Sequence, residues 1–247
     1  MKMLILLFLT LNFTASVYAV EITVLTEEYA PFNYEENGKV TGFSTEIVEA
    51  LMEKTKIYPV GGKIEMYPWK RAYRRALEEK NVLIYTMTRT KKRENVFKWV
   101  GPIFPREVWL FKLKGRNEIK SDTLEEVKKH MTGVTDGVAS TEELLRLGFT
   151  KGENLEVVPS NLVNYRKFVN GRVDFMPTSE LEMAFRLRND GKSYAMVEKA
   201  YLLSGGLFYY LAFSKETDDR VVEQFQKAFE IIEQDGTLDK IKSRYLN

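Results

Sequence analysis

Short apolar runs alternate with amphipathic stretches at helical spacing along nearly the whole chain, and this alternation restricts the fold more than any other feature. Glu21 to Thr26 reads as a strand. A loop holding Pro31 and the turn Glu36-Asn37-Gly38 follows. Phe43 to Lys56 is a predicted helix with Ile47, Leu51 and Met52 inward, and Lys63 to Tyr67 a predicted strand. Pro68 opens a helix to about Lys80, since a first-turn proline lacks only an N–H that no intrahelical acceptor would meet. Val82 to Met87 is the next strand. Parallel strands need long crossovers, and these helices supply them, so the pattern predicts an α/β fold with largely parallel sheets.

A second such unit begins with strand Val108 to Lys112 and a helix near Leu124 to Lys129. Its further strands are Thr132 to Thr135, Leu155 to Val158, Val173 to Pro177 and Ala195 to Glu198. Helices Thr141 to Leu147, Asn161 to Asn170 and Ser179 to Asn189 lie between them. A β-rich run, Gly206 to Ser214, precedes helices Asp218 to Gln234 and Leu238 to Tyr245. No flexible linker separates the units. Two lobes are therefore expected, 20–106 plus 204–247 and 107–203, joined by strands crossing near Ile103 to Val108 and Tyr201 to Leu207. Lobes on strand hinges leave a cleft able to close on a small molecule.

The start, Met1-Lys2-Met3, then an apolar run from Leu4 to Leu11, then Val17-Tyr18-Ala19, has the form of a secretory signal peptide cut after Ala19. The apolar run is shorter than the roughly 20 residues that span a bilayer. An exported, periplasmic protein is the expectation. Lysine and arginine number 37 against 35 acidic residues, which gives no electrostatic case for nucleic acid. Zero cysteine removes disulfides, thiol catalysis and most structural zinc sites, and the lone His130 makes a histidine-rich metal site impossible. No metal, no cofactor and no catalytic residue is expected, and the protein is expected to be a monomer.

Two distant segments look built for one small ligand. Thr86 stands near the end of the strand Val82 to Met87, and Thr88 and Arg93 follow it, with Thr90 as an expected N-cap for a helical turn beginning at Lys91. Ligands gather at the carboxyl ends of strands in open α/β sheets, and a guanidinium pairs with a carboxylate through two parallel hydrogen bonds. A solvated basic turn is the plainer alternative. Tyr29-Ala30-Pro31-Phe32 ends the first strand at the same edge, with Tyr29 expected on the ligand and Phe32 in the core. Trp69, at a helix start, is placed as a second ring for the cleft, whereas Trp99 and Trp109 are expected to pack near the hinge. From the second unit, the backbone N–H groups of Val138 and Ala139 after Gly137 can meet an anion. Ser140 and Glu143 match a capping box, and Thr178 and Ser179 offer hydroxyls or serve as a helix cap.

These motifs, with Val40-Thr41-Gly42-Phe43, Gly171-Arg172-Val173-Asp174 and Asp235-Gly236-Thr237-Leu238, resemble the family 3 extracellular solute-binding proteins in order and spacing. The resemblance implies a type II periplasmic binding fold that captures an amino acid or related organic acid for an inner-membrane ABC permease. It implies that Arg93 and Thr88 hold the ligand carboxylate with Thr86 beside them, that Tyr29 stacks on the ligand, and that the Val138 and Ala139 N–H groups close the site. Ser179 stands where many such proteins carry an aspartate for the ligand's ammonium. Two alternatives share the fold: an enzyme similar to periplasmic cyclohexadienyl dehydratases, with Glu180 as its acid, and a ligand-sensing adaptor for a receptor.

Overall fold

The computed structural model describes residues 20–246; the expected signal peptide, residues 1–19, lies outside the described residues. In chain order the elements are β1 (Ile22–Thr26), β2 (Tyr34–Glu36), β3 (Lys39–Thr41), α1 (Phe43–Thr55), β4 (Pro59–Met66), α2 (Trp69–Glu78), β5 (Val82–Thr88) and β6 (Phe97–Leu113). Then come α3 (Leu124–Val127), β7 (Thr132–Thr135), α4 (Ala139–Arg146), β8 (Leu155–Val158), α5 (Asn161–Val169), β9 (Met176–Thr178), α6 (Glu180–Asn189), β10 (Val197–Ser214), α7 (Asp219–Gln234) and α8 (Thr237–Leu246).

The two longest strands organise the molecule. β6 and β10 pair antiparallel from Phe97↔Ser214 to Leu113↔Val197, and so run through both halves. They join the sheet order β4-β1-β5-β10-β6-β9, while β7 and β8 form a separate parallel pair. The β4-β1-β5 portion is parallel, as the alternation predicts, with β5 buried at all seven positions. The shared pair and β9 are antiparallel, so the halves are less parallel than the sequence suggests. What reads as four separate short runs, 103–108, 108–112, 195–198 and 206–214, is two continuous strands, except that 195–196 lie in the 3-10 turn before β10. Their registers shift repeatedly, between Lys199 and Tyr201, Leu202 and Ser204, and Ser204 and Leu207, and each shift breaks the period-2 pattern.

Two groups of buried side chains flank this pair. On one side Phe32, Phe43, Val48, Leu83, Tyr85, Phe213 and Phe225 pack together, next to a smaller cluster around Trp69, Ala72, Met87 and Phe97. On the other, Leu110, Leu144 and Phe175 form one cluster and Phe111, Tyr165, Phe168 and Met183 another. Trp99 packs against the cluster at Phe97 and Trp109 against that at Phe111, as expected of structural rings. Asn37 (φ 52°) and Gly38 (φ 76°) form the tight turn between β2 and β3, the backbone that such a two-residue hairpin requires.

Candidate functional site

The cleft sits where β1 and β5 end and where α2, α4 and α6 begin, closed below by β6 and β10. Eight of the nine residues singled out from the sequence line it: Tyr29, Trp69, Thr86, Thr88, Arg93, Val138, Ala139 and Thr178. Ser179 does not. Its hydroxyl accepts the N–H of Glu182 at 3.2 Å as the N-cap of α6, which turns it into the helix end.

The local backbone explains why β5 delivers its end to the cleft. Thr86 has φ +58°, rare for a β-branched residue. It falls where β5 carries one extra residue against β10, between Ile84↔Ala212 and Met87↔Tyr210, which is a bulge. The Thr86 hydroxyl donates to Asn33 Oδ1 at 2.6 Å, and Asn33 Nδ2 donates to the carbonyl of Glu27 at 2.7 Å. Thr86 thus braces the end of β1 from below while facing the cleft.

No helix begins at Lys91. Residues 91–96 are turns, closed by Arg93 N–H on the Thr90 carbonyl at 2.9 Å, and the Thr90 hydroxyl caps nothing. The turn carries Arg93 inward all the same. Its side chain is 2% exposed, lies 5.2 Å from the Trp69 ring centre and 5.1 Å from that of Tyr73, and donates to the carbonyls of Thr88 (3.2 Å) and Gly137 (3.3 Å). Its Nε has no partner, and among the described residues no carboxylate lies within ion-pair distance of it. Burial works against its charge and draws its pKa below the ordinary arginine value.

Arg106, the other cleft-lining cation, and Arg186 behind the wall both have carboxylate partners. Arg106 of β6, missed in the sequence, forms a two-pronged pair with Glu143, both contacts at 3.2 Å, and donates to the hydroxyls of Ser140 (2.9 Å) and Ser204. This overturns the capping-box expectation: Ser140 and Glu143 turn to Arg106, and α4 starts at Val138 without a side-chain cap. Arg186 donates to Glu182 at 2.8 Å and lies 3.7 Å from Glu28. The second oxygen of Glu182 accepts from the Thr178 hydroxyl.

Glu180 points away from the cleft, held by Lys199 at 2.5 Å and Tyr194 at 3.1 Å at the surface. Two acids do line the cleft: Glu182, held by Thr178 and Arg186, and Glu27, 9% exposed and without a side-chain hydrogen bond among the described residues. Burial, and after it the charge of Glu182, push its carboxyl up to about 8. Tyr29 lines the wall, shares a 2.7 Å hydrogen bond with the Tyr209 hydroxyl and stacks on Phe32, which is fully buried in the core as expected. His130 lies elsewhere, 4.0 Å from Asp174.

Contacts cross the mouth of the cleft. Trp69 donates to the Gly137 carbonyl at 2.8 Å, and Lys70–Asp136 (2.9 Å) and Lys92–Glu142 (2.7 Å) form ion pairs beside it. Tyr34 packs on Phe185 with centroids 5.1 Å apart.

This is the architecture of a binding protein that holds a small molecule between two lobes. The chain belongs to the bacterial extracellular solute-binding proteins, family 3, whose sequence pattern matches residues 22–247. It is similar to a probable histidine-binding protein of Campylobacter jejuni (21% identity, 88% of this chain and 81% of that one) and to an L-cystine-binding protein of Bacillus subtilis (23%, 91% and 80%). Among solved structures it resembles an ancestral arginine-binding protein bound to arginine, with TM-score 0.77 and 24% identity over 93% of this chain and all of that one. It also resembles a histidine kinase sensor domain similar to periplasmic binding proteins, with TM-score 0.78 and 15% identity over 92% and 97%. The fold is the two-lobed type II periplasmic binding fold. Among the described residues no helix is long and apolar enough to cross a membrane.

Proposed function

We propose that the protein captures a small carboxylate-bearing solute, an amino acid or related organic acid, in the periplasm and delivers it to an inner-membrane ABC permease. Residues 20–106 with 204–247 form one lobe and 107–203 the other, and β6 and β10 are the hinges. The observation that carries the reading is Arg93: a buried guanidinium, facing a cleft, to which the described residues supply carbonyls and aromatic faces but no carboxylate in contact. A ligand would supply one. Thr86 and Thr88 stand beside this position, and the first N–H groups of α4, at Val138 and Ala139, face it from the second lobe. Tyr29 and Trp69 cover the apolar part, and Glu27 and Thr178 meet a second polar group. Neighbours named for histidine, cystine and arginine support this ligand class.

A thermal-shift panel of amino acids and small organic acids tests the proposal. A solute at a hundredfold excess over its Kd adds about 2.7 kcal/mol of stability. A panel that leaves the melting temperature unmoved throughout removes the reading.

One observation favours a second reading. A partnerless, protonated carboxyl in a cleft is what a general acid requires, and Glu27 rather than Glu180 now fills that description. Turnover of prephenate or arogenate would establish a dehydratase; capture alone predicts none.

A further inference from the structure

Glu27 has a role that solute capture does not by itself require. Its carboxyl faces the cleft and receives no hydrogen bond among the described residues, although its backbone is fixed by Asn33. The charged and titratable groups around it come from every neighbouring element: Glu28 beside it in the chain, Glu182 and Arg186 on α6, Arg93 beyond β5, and Tyr209 on β10. Both arginines that attract it are engaged. Arg186 is committed to Glu182 and Glu28, and Arg93 is turned to the Thr88 and Gly137 carbonyls under its two rings. Two further carboxylates therefore act on Glu27 in a buried place, with no cation in contact among the described residues. A charged Glu27 has no contacting cation among the described residues, and a ligand's cation would supply one.

Resting on the capture reading above, we infer that the protein is a proton-linked binder: a ligand that carries a cationic nitrogen as well as a carboxylate displaces the proton of Glu27, which leaves to solvent, so loading strengthens as pH rises and acid favours release. The ligand class is a carboxylate bearing an ammonium, amidinium or guanidinium. The acid form, –CO2H, gives –CO2⁻ and one proton, and the ligand's cation replaces that proton as the partner of the carboxylate. The raised pKa of Glu27 is consistent with this exchange and sets its range. Only the ionised fraction binds the cation, so between pH 6 and pH 8.5 the affinity rises by at least about tenfold.

The test uses the mature wild-type protein and Glu27→Gln, each titrated by calorimetry at pH 6, 7, 8 and 8.5 with L-arginine, L-lysine, L-histidine, L-glutamine and L-cystine. Succinate and hexanoate serve as carboxylates without nitrogen. The inference expects an amine-bearing probe to bind wild type with the steep rise in affinity, and to release about one proton near pH 7 when buffers of different ionisation enthalpy are compared. Glu27→Gln, which preserves shape but cannot ionise, should bind it more weakly at pH 8.5 and without the slope. A wild-type affinity flat with pH would overturn proton linkage while leaving capture intact. The same slope in Glu27→Gln would overturn it too, by assigning the proton elsewhere. Binding of only the plain carboxylates would refute the inference and leave the Arg93 clamp standing. Binding of none of the probes would sink both.

Discussion

Replacing Glu182 by methionine probes whether the buried charges of the cleft are balanced as described. Glu182 and Arg186 have side chains 2% and 6% exposed, and their 2.8 Å contact spans one turn of α6. Breaking a buried pair by removing one partner costs about 3–5 kcal/mol, because the surviving charge stays desolvated. Here Glu28, 3.7 Å from Arg186, retains part of the balance, so about 3 kcal/mol is expected. For a protein of this size that corresponds to roughly 6–12 °C in Tm. Arg186→Met should be comparably harmful. The double variant, which removes both members of the buried pair, should be more stable than either single one. Urea denaturation of the ligand-free proteins at pH 7 reads all three. Additive losses in the double variant, or a Glu182→Met protein as stable as wild type, would refute the charge accounting.

Other outcomes follow from single residues. Glu27 keeps its proton in the folded state up to about pH 8 but loses it near its ordinary value when unfolded, so its contribution to stability is complete below about pH 4.5 and fades as pH rises to 8. Glu27→Gln should therefore raise the melting temperature of the ligand-free protein at pH 8 and leave it little changed at pH 4.5; equal shifts at both would contradict the burial argument. Gly42 has φ +112°, and a Cβ there would sit 2.7 Å from the carbonyl oxygens of Pro31 and Phe32. Gly42→Ala should cost more than about 2 kcal/mol and displace the Tyr29 turn, seen as joint loss of stability and ligand affinity. Trp69→Phe keeps a ring over Arg93 but deletes the N–H to Gly137, and about 1 kcal/mol, roughly fivefold in Kd, should follow in calorimetry.

The sequence made much of this site legible because its residues sit at element ends, where strand and helix signals are strongest. Thr88 closes β5, Tyr29 follows β1, and Trp69 opens α2 after a proline. Three things stayed hidden, each for a physical reason. The bulge at Thr86 is a backbone event that no residue pattern announces. Arg106 and Tyr209 belong to the long shared strands, whose register shifts erase the alternation that would have placed them, and Arg106 finds Glu143 across 37 positions of chain. Glu182 and Glu180 are two residues apart on one helix, so their faces differ by about 200°. Choosing between them needs to know which face α6 presents, and the sequence favoured the exposed one. Thr90 and Ser140 misled in the same way. Each has a good capping chemistry, but the chain after Thr90 makes turns and no helix, and Arg106 takes the Ser140 hydroxyl.

The claim on which the rest depends is that the unmatched guanidinium of Arg93 receives the solute's carboxylate. Methionine at this position keeps much of the packing against Trp69 and Tyr73 and removes only the charge and its donors. Calorimetry of Arg93→Met with the solute that most stabilises wild type should show affinity reduced by about 2–5 kcal/mol, at least 30-fold, with the ligand-free fold retained by circular dichroism. A folded Arg93→Met protein that binds within threefold of wild type would contradict the account.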